Sequence, residues 1–202
     1  MSHRPLFGAL AFLVAAAGLT AALAPQDKSK PQPAAAGADD PMALMGPGPE
    51  HKVLESRVGK WTSAFKMWAP GTDQAMESTG TSEFQWMLGN RYLTETARGD
   101  MMGMPFEGFG VTGYDRMKKK YFSTWFDNMG TGVLASEGTY DPATKSITLT
   151  GKMPDMMSGK EVDAKLIHRE IDANSFVFEM HMTDGQSSKM SKVLEITYTR
   201  AK

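Results

Sequence analysis

Met76-Glu77-Ser78-Thr79-Gly80-Thr81-Ser82-Glu83-Phe84-Gln85-Trp86-Met87-Leu88 alternates with a period of two. Met76, Ser78, Gly80, Ser82, Phe84, Trp86 and Leu88 share one face, and Glu77, Thr79, Thr81, Glu83 and Gln85 take the other, which is the pattern of a half-buried strand. The same grammar extends in both directions. Upstream, 60–68 reads as a strand broken by Ala69-Pro70-Gly71. Downstream, Gly89-Asn90 turns the chain into further strands over 91–101, 106–114, 119–127, 133–140, 146–152, 161–171, 175–182 and 189–200. All the links are of hairpin length, which forces antiparallel neighbours.

An amphipathic meander of ten strands protects its edges best by closing on itself. The expected fold is therefore all-β: a ten-stranded antiparallel up-and-down barrel of lipocalin-like form, preceded by a short helix. That helix is expected over 50–58, where Val53, Leu54 and Val58 lie at helical spacing, and Gly59-Lys60-Trp61 opens the first strand behind it.

Three zones are expected in the 202 residues. Residues 1–24 read as an export leader, with a positive start at His3 and Arg4 and an apolar, small-residue run from Leu6 to Ala24. Ala22-Leu23-Ala24 offers a small-x-small cleavage site followed by Pro25, and Thr20-Ala21-Ala22 offers a second. Cleavage would yield a periplasmic or secreted protein. Left uncut, the run is close to the roughly 20 residues a membrane span needs, and membrane contact is expected only in that case. Residues 25–49, rich in Pro, Ala and Gly, bury too little apolar surface to fold and read as a disordered linker, with Met42, Leu44 and Met45 able to dock weakly on the barrel. The barrel domain is expected over 50–202.

Composition narrows the function classes. The 22 basic and 23 acidic residues are interspersed, so no field favours nucleic acid. Cysteine is absent, which excludes disulfides, thiolate metal sites, cysteine nucleophiles and a lipidated cysteine.

A barrel of this strand number has room for one small ligand. Trp61, Phe84, Trp86, Phe109, Trp125, Phe178, Leu194 and Ile196 are assigned inward as apolar surface. Ser78, Ser82, Ser123 and Asp127 on the same faces leave gaps and hydrogen-bond partners. The candidate ligand-binding set is Trp61, Phe84, Trp86, Arg91, Phe109, Trp125, Asp127 and Phe178, with Asp127 or Arg91 as polar anchor.

Other signals have plainer readings. Gly108-Phe109-Gly110-Val111-Thr112-Gly113 matches G-x-G-x-x-G, but a strand rather than a helix follows it, so the glycines serve bending and close packing. The seventeen methionines include Met101, Met102 and Met104 beside Met153, Met156 and Met157. Clustered thioethers suit copper(I), yet neither cluster holds a histidine or cysteine, and packing or a place at the pocket mouth is the better account. His168, on the face of Val162, Ala164 and Leu166, is expected inward, where a histidine is either a haem ligand or a core residue with one partner. Glu95, Asp127 and Glu137 are candidates to meet as acids or bases across the pocket. No nucleophile elbow or metalloprotease helix accompanies them, and no catalysis is expected. On the strand over 119–127, Tyr121 and Trp125 oppose Phe122 and Phe126, so one aromatic pair is left for a homodimer contact.

With these residues in view, the chain resembles the lipocalin-like bacterial proteins of domain-of-unknown-function family 1579. The matching stretches are Gly48-Pro49-Glu50-His51, Gly59-Lys60-Trp61, Met76-Glu77-Ser78-Thr79-Gly80 and Gly103-Met104-Pro105-Phe106-Glu107-Gly108. Further along come Gly113-Tyr114-Asp115, Ser123-Thr124-Trp125-Phe126-Asp127, Ser136-Glu137-Gly138-Thr139-Tyr140-Asp141 and Ile196-Thr197-Tyr198-Thr199-Arg200. The resemblance covers about 48–200 and implies a calycin-type barrel; it implies no activity and no functional residues. The leading expectation is an exported, non-enzymatic barrel that binds a small apolar or amphipathic molecule. The alternatives are a haem-binding barrel of the nitrobindin kind with His168 as axial ligand, and an interaction module whose barrel is filled by its own side chains.

Overall fold

The computed structural model describes residues 42–69, 72–101, 103–155, 158–184 and 189–202. Ten strands follow one another as the alternation predicts: β1 (Gly59–Trp68), β2 (Ala75–Met87), β3 (Tyr92–Met101), β4 (Met104–Asp115), β5 (Lys120–Asp127), β6 (Leu134–Asp141), β7 (Ser146–Asp155), β8 (Lys160–Asp172), β9 (Ser175–Thr183) and β10 (Met190–Arg200). Each pairs antiparallel with its chain neighbours, and β1 pairs with β10, so the meander closes into a barrel. The expected leader lies outside the described residues. Of the expected linker, 42–49 is described: Ala43–Met45 forms a short 3-10 turn, and Pro49 already belongs to the helix.

The helix differs in kind from the expectation. Pro49–Arg57 is a 3-10 helix, and its buried residues are His51, Leu54 and Arg57, spaced by three. Side chains eclipse every third residue in a 3-10 helix, so these three form one inward stripe while Val53 and Val58 pack at its sides. The helix lies across one end of the barrel as a plug. Its start is capped by His51, whose Nδ1 accepts the Gly48 N–H at 3.1 Å. That role needs the neutral imidazole, which burial favours by lowering the His51 pKa.

Ring and cation contacts hold the plug. Tyr121 donates its hydroxyl to the Glu50 carbonyl at 2.8 Å, Trp86 Nε1 donates to Glu55 at 3.0 Å, and Trp61 Nε1 donates to the Arg57 carbonyl at 2.7 Å. Arg200, opposite Trp61 in the β1–β10 pairing, lays its guanidinium 4.2 Å from the centroid of the Trp61 ring. From there it donates to the carbonyls of Ser56 (2.7 Å), Val58 (2.9 Å) and Ala173 (3.2 Å). Gly59 turns the chain from helix to strand at φ +120°, a conformation closed to residues with a Cβ.

Below the plug Trp61, Phe84, Phe176 and Tyr198 form an aromatic layer, with Phe176 stacked on Tyr198 at 4.2 Å and edge-on to Trp61 at 4.8 Å. Such pairs add about 0.5–1.5 kcal/mol each beyond burial. Leu149, Ile147 and Leu54 complete the packed end.

Phe109 corrects the expectation. It points outward, 41% exposed, and pairs with Phe126, itself 42% exposed. Its neighbours Gly108 and Gly110 hold the inward positions because Trp125 fills the space there. A Cβ on Gly108 would stand 2.2 Å from Cζ2 of Trp125, and one on Gly110 2.9 Å from Cε3. The first two glycines of the G-x-G-x-x-G match are thus a bed for an indole, and the third, Gly113, lies against Phe122 and Tyr92.

Replacing Arg200 with Met should cost about 2–4 kcal/mol, because it removes charge-assisted bonds to three carbonyls and a cation–π contact together. Arg91→Met, which loses exposed bonds to the Met45 and Leu88 carbonyls, should cost about 1 kcal/mol or less. Urea midpoints of the two variants check this ranking.

Candidate functional site

The inner faces of the strands converge on a cavity of about 520 Å³ that reaches from the aromatic layer to the end of the barrel opposite the plug. The volume lies within the range of roughly 300–1,000 Å³ found for small-molecule sites. The interior is therefore hollow, and the expectation of a barrel filled by its own side chains does not hold.

Four of the eight predicted site residues border the cavity: Phe84, Trp125, Asp127 and Phe178. Trp61 and Trp86 face inward but belong to the plugged end, engaged with the helix backbone and with Glu55. Arg91 lies outside, anchoring the 3-10 turn at Met45, and Phe109 is on the outer wall. Neither Arg91 nor Asp127 is a free anchor. Asp127 accepts from Trp125 Nε1 at 2.9 Å and from the Met129 amide at 3.0 Å, so it fixes the indole on its glycine bed.

The cavity has a chemical gradient. Near the plug its floor carries Arg57, Glu95, Tyr198 and His168. Above them the wall is Phe84, Leu93, Leu166, Phe178, Ile196 and Trp125. Towards the mouth come methionines, with Met67 directly opposite Met76 across β1 and β2, joined by Met101, Met129 and Met153. Met76, Met129 and Val133 are 40–50% exposed, which marks the rim. Thioether side chains of this kind adapt to irregular apolar partners. Met102, Met156 and Met157 lie outside the described residues. No group of three or more His, Asp or Glu side chains suited to a metal occurs among the described residues.

Sequence reading missed the main floor residue. Arg57 is 3% exposed, and its guanidinium stands 5.7 Å from the centroid of the Phe176 ring. Its spacing, three residues after Leu54 and four after Val53, puts it on the buried stripe at either helical period, and only its charge argues for the solvent side. Glu95 accepts from Ser82 at 2.8 Å and from the Tyr198 hydroxyl at 3.0 Å. Burial nonetheless raises its pKa from 4.5 to about 6, with the two hydrogen bonds and Arg57 pulling the other way. Burial, and then Arg57, hold the pKa of His168 well below its ordinary value, so the imidazole is neutral, tilted against Phe178 at 4.8 Å. Tyr198 is pushed well up by burial and by Glu95.

The three candidate acid–base carboxylates do not meet. Glu95 is at the floor and Asp127 is engaged with Trp125. Glu137 points outward and pairs with Lys120 and Lys118, because β6 directs Ser136 and Gly138 inward in its place. His181 is likewise outside, beside Glu179.

A closed ten-stranded antiparallel barrel with a plugged end and an apolar interior chamber defines a calycin-like barrel fold. The chain belongs to the family described as "Protein of unknown function (DUF1579)", whose profile matches residues 46–200. No curated protein matches it by sequence. Among solved structures it is similar to Rv2717c from M. tuberculosis, with 18% identity, a TM-score of 0.58, and coverage of 77% of this chain and 99% of that one. It is also similar to the S-type phycobiliprotein lyase CPES from Guillardia theta, with 10% identity, a TM-score of 0.53, and coverage of 79% and 97%. EF1p2_mFAP2b bound to DFHBI matches with 12% identity, a TM-score of 0.41, and coverage of 75% and 98%. At these identities the likeness is one of fold.

Because the folded-state pKa of Glu95 is raised, its cost to stability is absent below pH 4.5 and reaches about 2 kcal/mol well above pH 6. Glu95→Gln keeps an acceptor for Ser82 and Tyr198 and removes that cost. The variant should gain about 1–2 kcal/mol over wild type at pH 7.5 and little at pH 4.5, as read from urea midpoints at the two pH values.

Proposed function

We propose that this protein is an exported, non-enzymatic carrier for a small amphipathic molecule held inside the barrel. The observation that carries the reading is the hollow interior, with an apolar wall between a polar floor and a methionine-lined mouth. Export is supported by the positive start and apolar run of residues 1–24. The separate engagements of Glu95, Asp127 and Glu137, which do not converge, support binding over chemistry.

The energetics suit an amphiphile. Each buried methylene contributes about 0.8 kcal/mol, so an eight-carbon tail gains roughly 6 kcal/mol before ordering costs. Micromolar affinity needs about 8 kcal/mol net, so a polar anchor must add to the tail.

Haem is a second reading, favoured by the neutral His168 imidazole in the cavity. Of the residues present, His168 would ligate the iron and Arg57 would supply the counter-charge for a propionate.

Native mass spectrometry of gently purified protein, with an absorbance scan of the same sample, tests both readings. The carrier reading expects a co-purifying small molecule without visible absorbance. Ala97→Phe grows into the cavity and should remove that adduct while leaving stability unchanged or higher. Trp125→Ala should weaken binding about tenfold and leave the barrel folded. A clean apo mass together with no calorimetric binding of either lauric acid or lauryl alcohol sinks the carrier reading. A Soret band lost in His168→Ala replaces it with haem.

A further inference from the structure

Arg57 is out of keeping with its surroundings. A buried charge is ordinarily paired and fully hydrogen-bonded, because an uncompensated ion in an apolar interior costs several kcal/mol. Arg57 is among the most buried side chains of the protein, it borders the cavity, and its Nε is buried without a hydrogen-bond partner. No ion pair joins it to a carboxylate among the described residues. The two nearby acids are engaged elsewhere: Glu95 accepts from Ser82 and Tyr198, and Glu170 accepts from the Ser56 hydroxyl. A second orphan lies in the same layer, where the Ser63 hydroxyl, opposite Tyr198 across β1 and β10, is buried and unpartnered.

We propose that the cavity takes a single-chain amphiphile with a carboxylate head, inserted head first so that the head pairs with the Arg57 guanidinium at the floor. The inference rests on the carrier reading above and names the class of cargo. The planar guanidinium fork matches a carboxylate in shape and hydrogen bonding. Charge selects the carboxylate over a phosphate. The floor offers one cation and His168 is neutral there, so one charge of a dianionic head is left without a counter-charge. Glu95, whose pKa burial already raises to about 6, keeps its proton beside a bound carboxylate. The tail then lies along Leu166, Phe178, Ile196 and Trp125 with its end among the mouth methionines.

Isothermal titration calorimetry of the full chain at pH 6 with lauric acid and lauryl alcohol tests this. Wild type should bind the acid about 10- to 100-fold more tightly than the alcohol, the range of a charge-assisted bond. Arg57→Met should bind both alike and melt no lower than wild type, since it removes an unpaired buried charge. A structural role for Arg57 predicts the opposite shift in melting temperature. Equal binding of the two probes by wild type overturns the head-group assignment and leaves the carrier reading standing, as does a preference for the acid that survives Arg57→Met. Binding of neither probe removes both. If Arg57→Met fails to fold, the wild-type comparison of acid with alcohol still decides.

Discussion

The contact on which the rest depends is Arg200 over Trp61. Trp61 and Arg200 face each other across the β1–β10 pair, the seam where the last strand meets the first. The same guanidinium takes the carbonyls of Ser56 and Val58, groups at the end of a helix that would otherwise be orphaned. Trp61 ties the next carbonyl, that of Arg57. One cation and one indole therefore join barrel closure to the position of the plug, and the plug alone places the Arg57 side chain on the cavity floor. The geometry of the floor is coupled in this way to a contact made at the seam of the barrel.

The opposite requirement, keeping the interior open, is met by small residues. Ala97, Gly110, Ser123 and Ser136 border the cavity at positions where leucine or phenylalanine would close it. Gly108 and Gly110 let Trp125 lie flat on the β4 wall, and Asp127 pins the ring by its N–H. A large aromatic is thus present without filling the space, and it offers its face to whatever occupies the chamber.

Much of the fold was legible because its signal is periodic. Alternation in β2 and hairpin-length links throughout suffice for a closed meander, and each strand appears where the pattern puts it. The site was legible only in part. Phe84, Trp125 and Phe178 share a face with their neighbours in an unambiguous register. Phe109 was misplaced because an aromatic between two glycines looks like the residue that is packed, whereas here the glycines make room for a ring from the next strand. Arg57 escaped notice because its charge reads as a solvent-facing residue, although it stands three residues after Leu54 and four after Val53 on one stripe; what seats the plug are contacts with Trp61, Trp86 and Tyr121 that lie 4 to 71 residues away in sequence. Glu137 has the same composition cue as Glu95, and only register separates an outer salt bridge from a buried carboxylate.

A solid barrel would be the simpler route to stability, since void space and unpaired buried polar groups both weaken a fold. This chain carries both in the same chamber: a hollow lined by small side chains, and an arginine, a glutamate of raised pKa and a neutral histidine at its base. Holding the plug does not require the Arg57 guanidinium, because Arg200, Trp61, Trp86 and Tyr121 hold it through the backbone or through Glu55. Local departures from good packing and full hydrogen bonding concentrate at functional sites. Here they coincide in one place, at the closed end of a chamber whose other end is apolar and accessible. That polarity, charge within and thioethers at the rim, gives an occupant a direction as well as a volume.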